Sequence, residues 1–383
     1  MNEPIAIVGV GWAGFKPMTP EVSYKELMYD AAVRAYADAG VDPRRDIESF
    51  VTVAEDFHEG TSIFDEYVPD QLGAVLKPVH TIAGDGLHGL ATATMLIRTG
   101  KFDIVAVEGH SKVSNILSLP EVTAHAQDPV LNRPLRLNTH FVAGLEMNRY
   151  LHVTGTSREA CAAVVVKNRF NALRNPSASY GADLTINDVL YGPPLSWPLG
   201  SREASPEADG AVVMVIASAK AARNLTDTPV WIQGIGWANG SASLESRDWG
   251  RVPYLESATR MAYNQAGIQD PGQVIDFAEI DDTYAYKELQ SLEALGFCQF
   301  GEAGDLTLRG FTAFEGTLPV NVSGGSLGWG HLLDATGLAR ALEVVLQLRG
   351  QAGTRQLDDP EVGLVQSWRS VPTTSAAVAV LSI

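Results

Sequence analysis

The chain is poor in cysteine: Cys161 and Cys298 are the only 2 in 383 residues. That is too few for a disulfide scaffold or a cysteine-based zinc site, and it fits a reducing cytoplasm. Positive charge is also scarce, with 28 Lys and Arg against 45 Asp and Glu and a formal charge of −17. Such a surface argues against non-specific nucleic-acid binding, which depends on neutralising phosphates. A local basic pocket can still hold an anion. Long apolar runs are missing; the longest, Ala211 to Ala217, is far below the roughly 20 residues that cross a bilayer. Met1-Asn-Glu-Pro lacks the basic start of a secretory leader, and Ile5 to Val10 is too short for its apolar core. A cytoplasmic protein with no membrane or nucleic-acid partner is expected. What is present, 45% apolar and 19% charged residues, describes a globular chain long enough for two domains or two similar halves.

Two stretches spell Gly-x-Gly-x-x-Gly, at Gly9 to Gly14 and at Gly84 to Gly89. A dinucleotide site needs a helix to start at that turn, so that its N-terminus faces the pyrophosphate. After Gly14 come Pro17 and Pro20, and the spacing predicts a helix only from Ser23, boxed by Glu26 and stopped at Gly40. Strands are predicted on either side, at Ile5 to Val8 and Glu48 to Val53. Residues 258–268 then resemble residues 31–41: Ala31, Ala35, Tyr36, Ala39 and Gly40 recur as Ala258, Ala262, Tyr263, Ala266 and Gly267. Each copy leads through a polar turn into an apolar strand, the second at Val274 to Ile280. A glycine loop, a helix and another strand follow both times, at residues 83–107 and 321–366. A further strand, Asp209 to Ile216, closes the first half. The alternation predicts an α/β protein built by duplication. Its expected halves are residues 1–227 and 228–383, with residues 113–205 as a less regular insertion, rich in Pro, Asn and Arg, that shapes the pocket and a dimer surface.

Asn321-Val-Ser-Gly-Gly-Ser-Leu-Gly-Trp-Gly-His331 with Ala335-Thr-Gly337 resembles the late glycine loop of the thiolase superfamily, in its sterol-carrier-protein branch. Glu279-Ile-Asp-Asp-Thr-Tyr284 is similar to that branch's Glu-x-His-Asp-x-Phe motif, and Glu293-Ala-Leu-Gly with Gly301-Glu continues the likeness. The resemblance runs over nearly the whole chain. It implies a thiolase fold: two pseudo-symmetric βαβαβαββ halves in five α-β-α-β-α layers, usually as a homodimer. It also implies an acyl-CoA thioester as substrate, with Gly324, Gly325 and Gly330 in the loop that receives it and no further cofactor or metal.

The chemistry departs from the family. Thiolases attack the thioester with a cysteine three residues before a glycine that opens a helix. Gly100 and Asp103 fix the register, Gly86 takes the glycine's place, and the cysteine's seat holds Ala83. Alanine has no nucleophilic atom, so covalent acyl transfer there is impossible. Cys161 reads as a small buried residue and Cys298 as one packed beneath a loop. The family's second cysteine is also missing, its region being Ser367-Trp-Arg-Ser370. His331 remains, and in the family such a histidine helps stabilise a thioester enolate. An enolate hole without a nucleophile suits retro-aldol cleavage, which needs a proton acceptor and a donor.

Tyr284 is the first candidate for acid/base work, Tyr286 the next, with Asp281 as partner or alternative base. A tyrosine would need nearby positive charge or hydrogen bonds to be activated as a base. Asp85 and His88 lie one helical step apart, and an Asp–His hydrogen bond between them would be a further candidate, against an Asp85 that simply caps the helix. The pattern of losses resembles the steroid side-chain aldolases. These imply cleavage of a β-hydroxyacyl-CoA to a 17-keto steroid and propionyl-CoA, in complex with a small, often zinc-containing OB-fold partner associated with a hydratase. Two other readings compete: a non-catalytic acyl-CoA-binding or scaffold subunit, and a cysteine-independent Claisen or decarboxylase enzyme.

Overall fold

β1 (Ile5–Lys16) runs straight through the first glycine pattern as one mostly buried strand, longer than the predicted Ile5 to Val8. A Cβ on Gly9 would lie 2.5 Å from the Ala35 carbonyl oxygen, and one on Gly11 2.2 Å from that of Ala31. These glycines let α1 (Tyr24–Ala39) press against the strand and hold no phosphate. Ser23 and Glu26 form the predicted capping box, and Gly40 closes the helix in the left-handed conformation. The computed structural model describes residues 3–60, 63–116 and 119–383. Met1 and Asn2, on which the reading of a missing leader partly rests, lie outside them. No helix among the described residues is long and apolar enough to cross a membrane.

The first half continues with β2 (Ser49–Val53), β3 (Val79–Ile82), α2 (Gly86–Arg98), β4 (Ile104–Ser111), α3 (Thr139–Thr154), α4 (Arg158–Ala172) and β5 (Asp209–Ser218). The second half has β6 (Val230–Asn239), α5 (Pro253–Ala266), β7 (Phe277–Glu279), α6 (Ala285–Ala294), α7 (Gly325–Trp329), α8 (Thr336–Leu348), β8 (Val362–Trp368) and β9 (Ser375–Ser382). Residues 113–205 are more regular than expected. Asn138 and Ser157 each cap a helix with the side-chain oxygen, and α3 and α4 span 16 and 15 residues. β7 is shorter than predicted, because Val274 closes the 3-10 turn at Pro271–Gln273 in the αR conformation, its N–H donating to the Pro271 carbonyl.

The strands join in the order β3-β2-β4-β5-β1-β6-β9-β8-β7. Numbered within each half, with the Val320 bridge counted as the second half's third strand, this is 3-2-4-5-1 followed by 1-5-4-2, a mirrored repeat. The missing third strand of the second half survives as a parallel bridge between Val320 and Ala278. β2 is parallel to β3 and β4, and β8 to β7, while β1 and β6 pair antiparallel through Ala6 with Trp231 and Ile7 with Val230. The duplication legible in α1 and α5 is therefore a duplication of topology.

α1 packs on the outer face of the first half-sheet and α5 on that of the second, with α2 and α8 between them, giving five layers with a core at each internal face. α2 and α8 meet near their N-termini. A Cβ on Gly86 would fall 2.7 Å from the Leu338 nitrogen, and one on Gly337 2.0 Å from Asp85 Oδ1. Gly89 is equally constrained, since its Cβ would sit 2.3 Å from Val53 Cγ2. The second glycine pattern is thus a packing pattern, and Gly89 is not the accidental match that a bare turn at Gly86 would make it. Gly89→Val is expected to destabilise by about 1–3 kcal/mol, the usual range for overpacking, read from the urea midpoint at unchanged slope.

Candidate active site

The cavity follows from the sheet. In parallel α/β sheets, ligands collect beyond the carboxyl ends of strands. Here the segments leaving β2, β3, β7 and β8 converge around a cavity, flanked by residues 119–126, the start of α3 and residues 204–207. Its wall includes Glu55 and His58 after β2, Gly84 and Asp85 after β3, Tyr284 after β7 and Trp368 to Ser370 at and after the end of β8. His331 and Asp334 enter from the loop before α8.

His331 is held by its backbone, which accepts from the Ala208 N–H and donates to the Pro206 carbonyl. The Leu333 N–H donates to its Nδ1 at 3.2 Å. Burial pushes the imidazole pKa down to about 4, so the ring is neutral near pH 7. With Nδ1 accepting, the proton is assigned to Nε2. His331 therefore offers one N–H donor to an oxygen in the cavity.

Tyr284 also lines the cavity, with its hydroxyl 3.0 Å from His140 Nδ1. Its expected use as a base meets a physical obstacle. Burial raises its pKa, and the facing carboxylates of Glu146, Asp281 and Glu207 raise it further. No activating cation offsets them among these influences, so the phenol keeps its proton and can act as a donor. Burial lowers the His140 pKa, which leaves that ring neutral beside it.

Four other expected residues are engaged by protein groups. Asp281 lies outside the cavity wall: it is fully buried, its Oδ2 is 3.1 Å from Arg340, and it accepts from the Thr283 and Trp368 N–H groups. A carboxylate engaged in this way is not a free base. Tyr286 gives its hydroxyl to Glu146 Oε2 at 2.9 Å and stacks on Tyr284 from behind. Asp85 caps α2 through the Leu87 N–H and takes the Gly337 N–H at 2.8 Å, so its carboxylate does not meet His88. Burial lifts Asp85 to about 7 against these hydrogen bonds. His88 turns instead to Ser375 Oγ at 3.0 Å. The glycines expected to receive the thioester pack on protein: a Cβ on Gly324 would meet Ala172, on Gly325 Asp282, and on Gly330 Ala208.

Neither cysteine lines the cavity. Cys161 is buried in α4 and Cys298 is partly buried, with burial raising both thiols, the second to about 12. Ala83 is solvent-exposed, next to the Gly84 and Asp85 of the wall.

His58, Asp334, Glu55, Arg369 and His140 were not among the candidates read from the sequence. Asp334 accepts the Glu55 N–H at 2.9 Å and holds His58 Nδ1 at 3.3 Å, while Arg369 pairs with Glu55. One signal was available: Glu55-Asp-Phe-His-Glu59 is a charged run directly after a parallel strand, where ligand groups gather.

The fold and cavity define a thiolase-fold protein with a neutral histidine, and neither of its cysteines, lining the cavity. A family model described as thiolase C-terminal domain-like matches residues 238–383. A Methanothermobacter thermautotrophicus protein named acetyl-CoA acetyltransferase is 31% identical over 97% of this chain and 98% of its own. A Mycobacterium tuberculosis protein named 17-hydroxy-3-oxo-4-pregnene-20-carboxyl-CoA lyase is 29% identical over 96% and 97%. A solved structure, the Ltp2-ChsH2(DUF35) aldolase, superposes with a TM-score of 0.86 at 26% identity over 99% of this chain and 97% of that one. The chain belongs to the thiolase superfamily, in its sterol-carrier-protein-like branch.

Proposed function

We propose that the protein is a carbon–carbon lyase that cleaves a β-hydroxyacyl-CoA thioester by a retro-aldol reaction, without an acyl-enzyme. One observation carries this reading: His331, whose Nδ1 accepts from the Leu333 N–H, lines a cavity that neither cysteine lines. The β-hydroxyl loses its proton, the Cα–Cβ bond breaks to release a ketone, and the electron pair becomes a thioester enolate whose oxygen His331 binds. The Tyr284 hydroxyl, backed by His140, then returns a proton to Cα. Two needs of a retro-aldol are thereby served, stabilisation of the developing charge and a proton donor that stays protonated, while the β-hydroxyl proton still requires an acceptor.

The name of the lyase relative supports a steroid-CoA as substrate, and the name of the aldolase supports the reaction type; a 17-keto steroid and propionyl-CoA are the products we propose. The second name also supports a DUF35-type partner, here a small OB-fold protein on a homodimeric core. Acyl transfer, the activity named for the archaeal relative, lacks its nucleophile in this cavity.

The test is to incubate the protein, with and without a DUF35-type partner, with 17-hydroxy-3-oxo-4-pregnene-20-carboxyl-CoA. A ketone and a shorter acyl-CoA are expected in equal amounts. Thiolysis or acetyl transfer in their place overturns the reading. His331→Ala should lower kcat by about 10²–10³, the usual consequence of losing one oxyanion donor, with a smaller change in KM.

A further inference from the structure

The cavity holds a titratable pair that the scheme above leaves unused. His58 stands with its side chain 10% exposed, and its Nδ1 faces both carboxylate oxygens of Asp334, at 3.3 and 3.4 Å. Its other ring nitrogen, Nε2, is buried and has no hydrogen-bond partner among the described residues. A buried polar atom left unsatisfied calls for an explanation, and a ligand is one of the few available. The rest of the pair is built with care: Asp334 is fixed by the Glu55 N–H, and Glu55 is fixed in turn by Arg369.

We infer that His58, oriented by Asp334, is the general base that takes the β-hydroxyl proton through Nε2. The assignment rests on the lyase reading and supplies the acceptor it lacks, since Tyr284 holds its proton. The O–H bond of the substrate breaks toward Nε2, and the carbonyl forms as Cα–Cβ cleaves. The electron pair passes to the enolate at His331, and Tyr284 delivers the proton to Cα. Products leave with His58 protonated and Tyr284 ionised, and exchange with solvent restores both. Asp334, which accepts from Nδ1, fixes the tautomer and stabilises the imidazolium; it is a positioning residue.

The charges around His58 set a pH dependence. Burial opposes the charged ring, but Asp334, Glu55 and Glu59 together outweigh it and raise the pKa above 6.5. Arg369 faces Glu55, and neutral His331 lies three residues before Asp334 on the same loop. A base must be neutral to act, so activity rises with pH through the His58 pKa. Removing the Asp334 charge lowers that pKa and moves the acid limb to lower pH.

The decisive experiment measures kcat/KM against pH for the holo-complex of wild type, His58→Gln and Asp334→Asn on the β-hydroxyacyl-CoA. His58→Gln should fall by about 10²–10⁴-fold, the range for a lost general base, with acyl-CoA affinity retained. Asp334→Asn should be slower and have its acid limb displaced downward, a shift that a purely structural role would not produce. If wild type cleaves and His58→Gln stays within about tenfold of it, or the limb stays in place in Asp334→Asn, the assignment is wrong while the lyase reading stands. If wild type yields no ketone, the lyase reading falls and takes the assignment with it.

Discussion

Tyr284→Phe is expected to cut turnover by about 10²–10⁴, the span for a lost general acid, while leaving the fold intact. The variant removes one oxygen from a ring whose other contacts are apolar or aromatic: Trp368 at 6.5 Å edge-on and Tyr286 at 6.1 Å stacked. Among the described residues it strands His140 Nδ1, 3.0 Å away, in a half-open position where water can replace the phenol. Thermal unfolding should therefore change little. The enolate would form at His331 but wait for a proton from solvent. A solvent-trapping test sharpens this: in deuterated water, any α-deuterium in the shorter acyl-CoA should lose its facial selectivity in Tyr284→Phe. Turnover near the wild-type level would remove Tyr284 from the chemistry.

Arg340→Leu should carry the largest effect on stability. Arg340 is fully buried on α8, with 3.1 Å contacts to both Asp281 Oδ2 and Asp282 Oδ1. It also donates to the Ser326 hydroxyl at 2.8 Å and the Ile280 carbonyl at 3.2 Å. Leucine would leave two interior carboxylates without the ion-pair partner they share. Breaking a buried pair in this way typically costs about 3–5 kcal/mol, so loss of soluble protein or a large drop in the urea midpoint is expected. Adding Asp281→Asn and Asp282→Asn should recover part of that loss. A destabilisation under about 1 kcal/mol, the size of an exposed pair, would show that the triad is solvated.

The same triad explains why Asp281 misleads a reader of the sequence. At Glu279-Ile-Asp-Asp-Thr-Tyr284 the motif places an ionisable group where the family has histidine, and proximity to Tyr284 suggests shared chemistry. Yet Arg340 lies 59 residues later, on a helix whose every residue is buried. Charged residues on such a helix require partners, and in Arg340 and Glu343 that requirement was visible; which carboxylates would answer it was not. Local signals read well by contrast. The Ser23–Glu26 box, the Gly40 stop and the repeated Ala-Tyr-Ala-Gly helix depend on neighbours a few residues away, and all appear as predicted. The departures lie where distant segments meet. His58 and Asp334 are 276 residues apart and His140 and Tyr284 are 144 apart, so neither pair leaves a mark in local spacing.

The shared cap at Asp85 has an electrical consequence. A helix N-terminus carries a partial positive charge on its free N–H groups, and α2 and α8 bring two such ends together at the heart of the molecule. One carboxylate takes a donor from each, Leu87 N–H and Gly337 N–H. The field that the paired helices could have aimed at a ligand is spent inside the protein. On the reaction proposed above, an enolate in the cavity would then depend on a side-chain donor, the imidazole of His331.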